Sequence, residues 1–174
     1  KRVSQTELNI QQQHIVNDSL RSFELSGVAL DGAKSERFKE IKEQLSVLSN
    51  QFSKNVLQST NSWKKNVSAI DLKGYGADEF SKVKKGDHYE ISLQVPVYID
   101  LMTYADSSDL REEVYKAYIS RASDIGITSK EFNNRPIMDE ILKLRSEMSE
   151  LVGFSNYAQY STQSKMVESP DAVI

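Results

Sequence analysis

The two histidines, His14 and His88, are the side chains best suited to acid–base or metal chemistry in this sequence, and they stand far apart in it. An imidazole can exchange a proton near neutral pH or bind a metal through a ring nitrogen. A His-Glu-x-x-His zinc site needs two imidazoles one turn apart on a helix, with a carboxylate that activates water. Neither histidine is read as having a second metal-type ligand at helical spacing. His14 is therefore expected on a helix face and His88 at the end of a strand. Carboxylates stand side by side at Glu112-Glu113 and Asp139-Glu140. Neighbouring residues of a helix point in different directions, so both pairs read as solvated surface and not as an acid with its base. There is no Gly-x-x-x-x-Gly-Lys loop and no Gly-x-Ser-x-Gly elbow. No serine has a histidine base near it in sequence, although a triad assembled in space needs no such closeness. The sequence thus nominates no catalytic, cofactor-binding or metal-ligating residue. Six tyrosines, Tyr98, Tyr104, Tyr115, Tyr118, Tyr157 and Tyr160, have the rigid faces and polar tips that suit a peptide groove. Packing at the core and its edge is the plainer expectation for each.

Composition narrows the partners. The length of 174 residues suits one domain or a large piece of one. Twenty-two basic and 25 acidic residues give a net charge of −3, which supplies no electrostatic reason to expect nucleic acid or an anionic membrane. The longest basic cluster, Lys82-Val83-Lys84-Lys85, is too short for such a footprint. Cysteine is absent, which removes disulfides, thiol catalysis and thiolate metal sites, and fits a reducing cytoplasm. No apolar run approaches the roughly 20 residues that span a bilayer. Asn17-Asp18-Ser19 and Asn66-Val67-Ser68 match the glycosylation sequon and are read as chance matches. The chain opens at Lys1 and stops shortly after Ser169-Pro170, a helix-start signal, so it is expected to be a piece of a longer protein.

The elements that would position any site are mostly helical. Residues 5 to 25 read as a helix with a loose stripe of Leu8, Ile15, Val16, Leu20 and Phe23, closed by Gly27. Asp31 can cap the next helix, where Phe38, Ile41, Leu45, Leu48, Phe52 and Val56 recur every three or four residues along one face. Residues 1–62 therefore form an expected antiparallel helical hairpin. Tyr89, Ile91, Leu93 and Val95 alternate with polar residues, as in a half-buried strand that Pro96 would end. Residues 63 to 70 are its candidate partner, Ala77 to Lys84 a short helix, and 63–96 a small inserted β-hairpin. The remainder, 97–174, reads as helical. Asp106 is the expected cap of a helix with Leu110, Val114, Ala117, Tyr118 and Ala122 inside. Residues 126 to 134 read as a loop, and Pro136 opens a helix with Ile137, Ile141, Leu144, Met148 and Leu151 inside. Gly153 ends that helix, and Asn156 with Gln159 resembles a capping box for one more.

Three stretches carry a resemblance. FELSGVALDGAKSERFKEIKEQLSVLSNQFSKNVLQSTNSW, MTYADSSDLREEVYKAYISRAS and NNRPIMDEILKLRSEMSELVGFSNYAQYSTQSKM resemble, in that order and spacing, the thimet oligopeptidase family of zinc metallopeptidases. The resemblance runs from about residue 20 to the end. It implies a fold of two mostly helical halves flanking a deep channel, with the zinc in the other half on a His-Glu-x-x-His helix. Residues 1–174 would then be part of the N-terminal helical half, which walls the channel and admits short peptides. The parent would be a cytoplasmic zinc metalloendopeptidase, with the missing catalytic half as this chain's partner. None of the family's catalytic positions occurs here, so no residue role carries over, and this chain is expected to bind no zinc and to be inactive alone. A free-standing helical peptide-binding or adaptor module is the alternative. A coiled-coil oligomer built on residues 37 to 57 is a weaker one.

Overall fold

A computed structural model describes residues 8–126, 129–167 and 169–174. The fold is mostly α with a small antiparallel sheet, as the sequence predicts. The chain divides into two compact units, Lys1–Val47 with Asp139–Ile174, and Leu48–Met138.

In the first unit, helix α1 (Ile10–Leu25) begins at Asn9 with a complete capping box. The Asn9 carboxamide accepts from the Gln12 N–H, and the Gln12 side chain accepts from the Asn9 N–H. Residues 5 to 7 of the expected helix lie outside the described residues. The expected apolar stripe is not an inner face: Ile15, Leu20 and Phe23 are 66%, 52% and 59% exposed, and α1 buries no residue completely. Spacing marks which residues share a face, but it does not supply the surface that would cover them. Gly27 closes the helix with φ +80°, and a Cβ there would stand 2.8 Å from the Phe38 ring. Helix α2 (Gly32–Ser62) starts beside Asp31, whose backbone carbonyl accepts from the Lys34 and Ser35 N–H groups. Its predicted stripe is real, with Phe38 and Ile41 buried and Leu45 half-buried in this unit.

The later part of α7 (Arg135–Leu151) contributes Leu144 and Met148 to the interior of the first unit. It ends in a Schellman motif: the Phe154 N–H donates to the Ser149 carbonyl and the Gly153 N–H to that of Glu150, with Gly153 at φ +90°. Helix α8 (Tyr157–Thr162) follows at once. Asn156 caps it by accepting from the Gln159 N–H, but the Gln159 carboxamide accepts from Ser155 and not from Asn156. The capping box is therefore half formed. After α8, Ser169-Pro170 opens only a 3-10 turn, Pro170–Ala172.

The second unit packs a three-stranded sheet against helices. Strands β1 (Lys64–Val67), β2 (Lys84–Lys85) and β3 (His88–Ser92) lie in the order β1-β3-β2. Lys65 pairs with Ile91 and Val67 with Tyr89, while β2 and β3 form a hairpin about Gly86-Asp87. Helix α3 (Ala77–Val83) precedes β2. Ile91 and Leu93 are buried as their alternation predicts, but β3 stops at Ser92 and Val95 is 52% exposed. Val95 begins helix α4 (Val95–Tyr104) instead. Pro96 does not end a strand; it sits in the first helical turn, where its missing N–H costs nothing and its fixed φ suits the helix. Helix α5 (Ser108–Ile119) is capped by Ser107, whose hydroxyl accepts from the Leu110 N–H, and not by Asp106. Leu110, Val114 and Ala117 face the core with Trp63, Leu72, Val83 and Leu101. Ala122 is buried but lies beyond α5. The expected loop 126 to 134 contains a single helical turn, α6 (Ser129–Phe132); its residues 127 and 128 lie outside the described residues.

A buried polar hub holds the far side of this unit. Asn134 is 2% exposed. Its carboxamide accepts from Asn55 at 2.9 Å and donates to the Phe52 carbonyl at 3.1 Å. Its N–H donates to the Ala122 carbonyl at 2.8 Å, and the Ala122 N–H donates to the Ser59 hydroxyl at 3.1 Å. Ala122 is thereby held at φ 51°, a left-handed conformation that alanine adopts only against a steric cost. Replacing Asn134 with Ala leaves the buried Asn55 amide group without its partner and removes a second bond to the Phe52 carbonyl. The expected loss of stability, measured by denaturant titration, is about 2–4 kcal/mol.

Candidate functional site

The first unit carries a groove of about 780 Å3 lined from α1, α2 and α8. One wall is Asp18, Arg21, Ser22 and Leu25 on consecutive turns of α1. The other is Tyr157, Tyr160 and Ser161 on α8, continued by Ser164, Lys165 and Met166. Lys42 enters from α2.

Several local contacts set these walls. The Tyr160 hydroxyl donates to the Leu25 carbonyl at 3.0 Å, tying α8 to the end of α1. Burial pushes the Tyr160 hydroxyl pKa up, and the neighbouring Tyr157 adds to it, so the tie stays a proton donor through the neutral range. Phe154 stands edge-on to Tyr160 at 5.8 Å, and the Arg145 guanidinium lies over the Tyr157 ring at 4.8 Å. Arg37 of α2 grips Glu147 of α7 through two hydrogen bonds of 2.6 and 2.7 Å, which fixes α2, and with it Lys42, against α7. Arg21 donates to the Gln163 carbonyl at 3.3 Å and lies 3.7 Å from Asp18.

The electrostatics are lopsided. Arg21, Lys42 and Lys165 bring three positive charges to the groove, and Asp18 is the one carboxylate among the lining residues. Among the described residues no ion pair engages Lys42 or Lys165; Lys42 lies over the Phe38 ring at 5.8 Å. The groove therefore offers cations, hydroxyls and aromatic faces.

The sequence-nominated groups do not come together. His14 is exposed on α1. Sequence reasoning passed over Asp18, which stands four residues on and is a possible second ligand; the structure engages Asp18 with Arg21. His88 opens β3, with its Nδ1 3.3 Å from the Asp87 carboxylate. That hydrogen bond holds the Asp87 carboxyl below its usual range. Among the described residues no three His, Asp or Glu side chains form a group that could hold a metal. The zinc that the resemblance implies finds no fit among them, and no chemical step runs through it here. Glu112 and Glu113 part as expected: Glu112 pairs with Lys116, and Glu113 with Lys65. Of the six tyrosines, Tyr157 and Tyr160 line the groove. Tyr98 and Tyr118 stack at 3.8 Å with Arg121 over Tyr118, while Tyr104 and Tyr115 are 47% and 45% exposed. The sequon residues Asn17 and Asn66 lie inside α1 and β1. Among the described residues no helix is long and apolar enough to cross a membrane.

The described residues thus supply packed helices, a small sheet and a cation-rich groove. Residues 101–174 match Peptidase family M3, in agreement with the resemblance read from the sequence. It is similar to oligopeptidase A of Salmonella typhimurium and of Escherichia coli, at 42% identity in each case over 96% of this chain and 26% of the relative. Oligopeptidase A of Haemophilus influenzae is 39% identical over 95% of this chain and 25% of the relative. The chain thus spans about a quarter of the length of the curated relatives it matches.

The Arg37–Glu147 clamp generates a pH prediction. Its hydrogen bond to Arg37, chiefly, holds the Glu147 carboxyl below its ordinary 4.5, and Arg37 is correspondingly raised. The unfolded chain therefore takes up this proton first as pH falls. The clamp's contribution is complete above the ordinary value and is lost as pH drops through the lower, folded one. Glu147→Gln should lower stability at pH 7 and flatten the decline of stability below about pH 4.5, read from thermal melts across the acid range.

Proposed function

We propose that this chain is a non-catalytic helical part of a zinc metallo-oligopeptidase, a metalloendopeptidase that hydrolyses short peptides, and that it walls the channel through which those peptides reach the metal. The observation that carries the reading is the match to oligopeptidase A along nearly the whole of this chain and only a quarter of the relatives' length. The zinc-binding residues would then lie outside these 174. The metal would polarise the scissile carbonyl and lower the pKa of its bound water. The present residues would bind, orient and exclude: the groove tyrosines give a peptide rigid faces, and the cations and hydroxyls hold its polar groups. The partner in this reading is the catalytic half of the same protein. The compartment is the cytoplasm, for which the cysteine-free sequence gives weak support.

The reading frame that follows Ile174 in the genome tests this. The expected result is a His-Glu-x-x-His segment a few hundred codons downstream. A stop codon directly after Ile174 would instead make the chain a free-standing helical module and remove the peptidase reading.

A further inference from the structure

The groove's charge imbalance carries an inference that rests on the proposed peptide-handling role and adds to it a chemical preference. Asp18, the groove's carboxylate, lies beside Arg21, and among the described residues no ion pair engages Lys42 or Lys165. A concavity near 780 Å3 lies within the roughly 300–1,000 Å3 of small-molecule sites, enough for a few residues of an extended peptide. Around the cations stand the hydroxyls of Ser22, Ser161 and Ser164, which can donate to an anionic oxygen. Tyr157 and Tyr160 supply apolar faces for the chain that carries that oxygen. Arg145 over one face of Tyr157, and the Tyr160 hydroxyl bond to Leu25, hold both rings before any ligand arrives, which reduces the ordering cost of binding.

We propose that the groove between α1 and α8, with Lys42 and Lys165 as its charged anchors, binds a carboxylate group of a short peptide. The carboxylate is either the peptide's C-terminus or an acidic side chain. Both present the same planar anion, and the groove's chemistry answers to that shared group. Ammonium groups recognise it as point charges, so binding weakens as salt screens them.

The test is heteronuclear NMR of the 174-residue chain titrated with three N-acetylated peptides. The first is tetra-alanine with a free C-terminus, the second is tetra-alanine amide, and the third is Ala-Glu-Ala-Ala amide. The expected result is that a carboxylate-bearing peptide shifts the ring signals of Tyr157 and Tyr160 while tetra-alanine amide does not. Binding of the first peptide alone assigns the C-terminal carboxylate, and binding of the third alone assigns an acidic side chain; either supports the proposal. Lys42→Gln with Lys165→Gln should weaken that binding by about tenfold or more, the scale of losing hydrogen bonds to a charged group. Both lysines are exposed, so the fold should survive, as far-UV circular dichroism would show. Should the double Gln variant unfold, Lys42→Arg with Lys165→Arg decides: retained binding supports the charge requirement, and loss in a folded protein overturns it. Tetra-alanine amide binding as tightly as the charged peptides would overturn the proposal while leaving peptide binding intact. So would a folded double Gln variant that binds as well as the parent, or failure of every peptide to move Tyr157 and Tyr160. None of these outcomes bears on the downstream frame, so the two readings can fail separately.

Discussion

The Asn134 carboxamide is the constraint on which the second unit depends. This side chain bonds to Phe52 and Asn55 on α2 while the Asn134 backbone N–H bonds to the Ala122 carbonyl, so three stretches far apart in sequence meet at this residue: α2, the Ala122 turn and the start of α7. A buried amide without partners is costly, so each of its bonds requires the others to be in place. The left-handed Ala122 shows the strength of that requirement. The hub holds its N–H and carbonyl from two sides, and the local steric cost is tolerated. The apolar core of Trp63, Leu72, Ile91, Leu101 and Val114 provides the main driving force for folding this unit. The polar hub fixes where α2, the loop after α5 and α7 meet, a choice that non-directional apolar burial leaves open.

The first unit is organised differently. Its buried apolar residues are few, chiefly Phe38, Ile41, Leu144 and Met148, and directional contacts set its geometry. Gly27 lets the turn after α1 pass against the Phe38 ring, Arg37 grips Glu147, and the Tyr160 hydroxyl ties α8 to α1. These contacts leave a groove whose lining is aromatic, hydroxylic and cationic. Such a lining can hold a peptide by its faces and charges. The exposed apolar side of α1, with Ile15, Leu20 and Phe23, is a further unpartnered surface in this unit.

Much of the fold was legible because spacing and turn chemistry are local. The Phe38 to Val56 stripe, the Gly153 terminator and the Asn156 cap could each be read from a few neighbouring residues. Failures arose where two local signals competed. Pro96 serves both as a strand breaker and as a first-turn helix residue, and the second role prevailed, taking Val95 out of the strand. Ser107 displaced Asp106 as a cap because both side chains suit the role and only the chain's path decides. The hub and the groove were not legible. Asn134 reads as loop sequence until Asn55 stands beside it, and Lys42 and Lys165 read as solvated surface until α8 returns to α1. Spacing alone nominated no catalytic constellation, and it passed over Asp18 one turn from His14.

The most direct test of a scaffold without chemistry is peptide cleavage by the purified 174-residue chain with zinc supplied, measured together with its bound-metal content. No turnover and no tightly held zinc are the results this account predicts. Zinc-dependent turnover that survives removal of contaminating peptidases, and that disappears on replacing His14 or His88 with Ala, would contradict it.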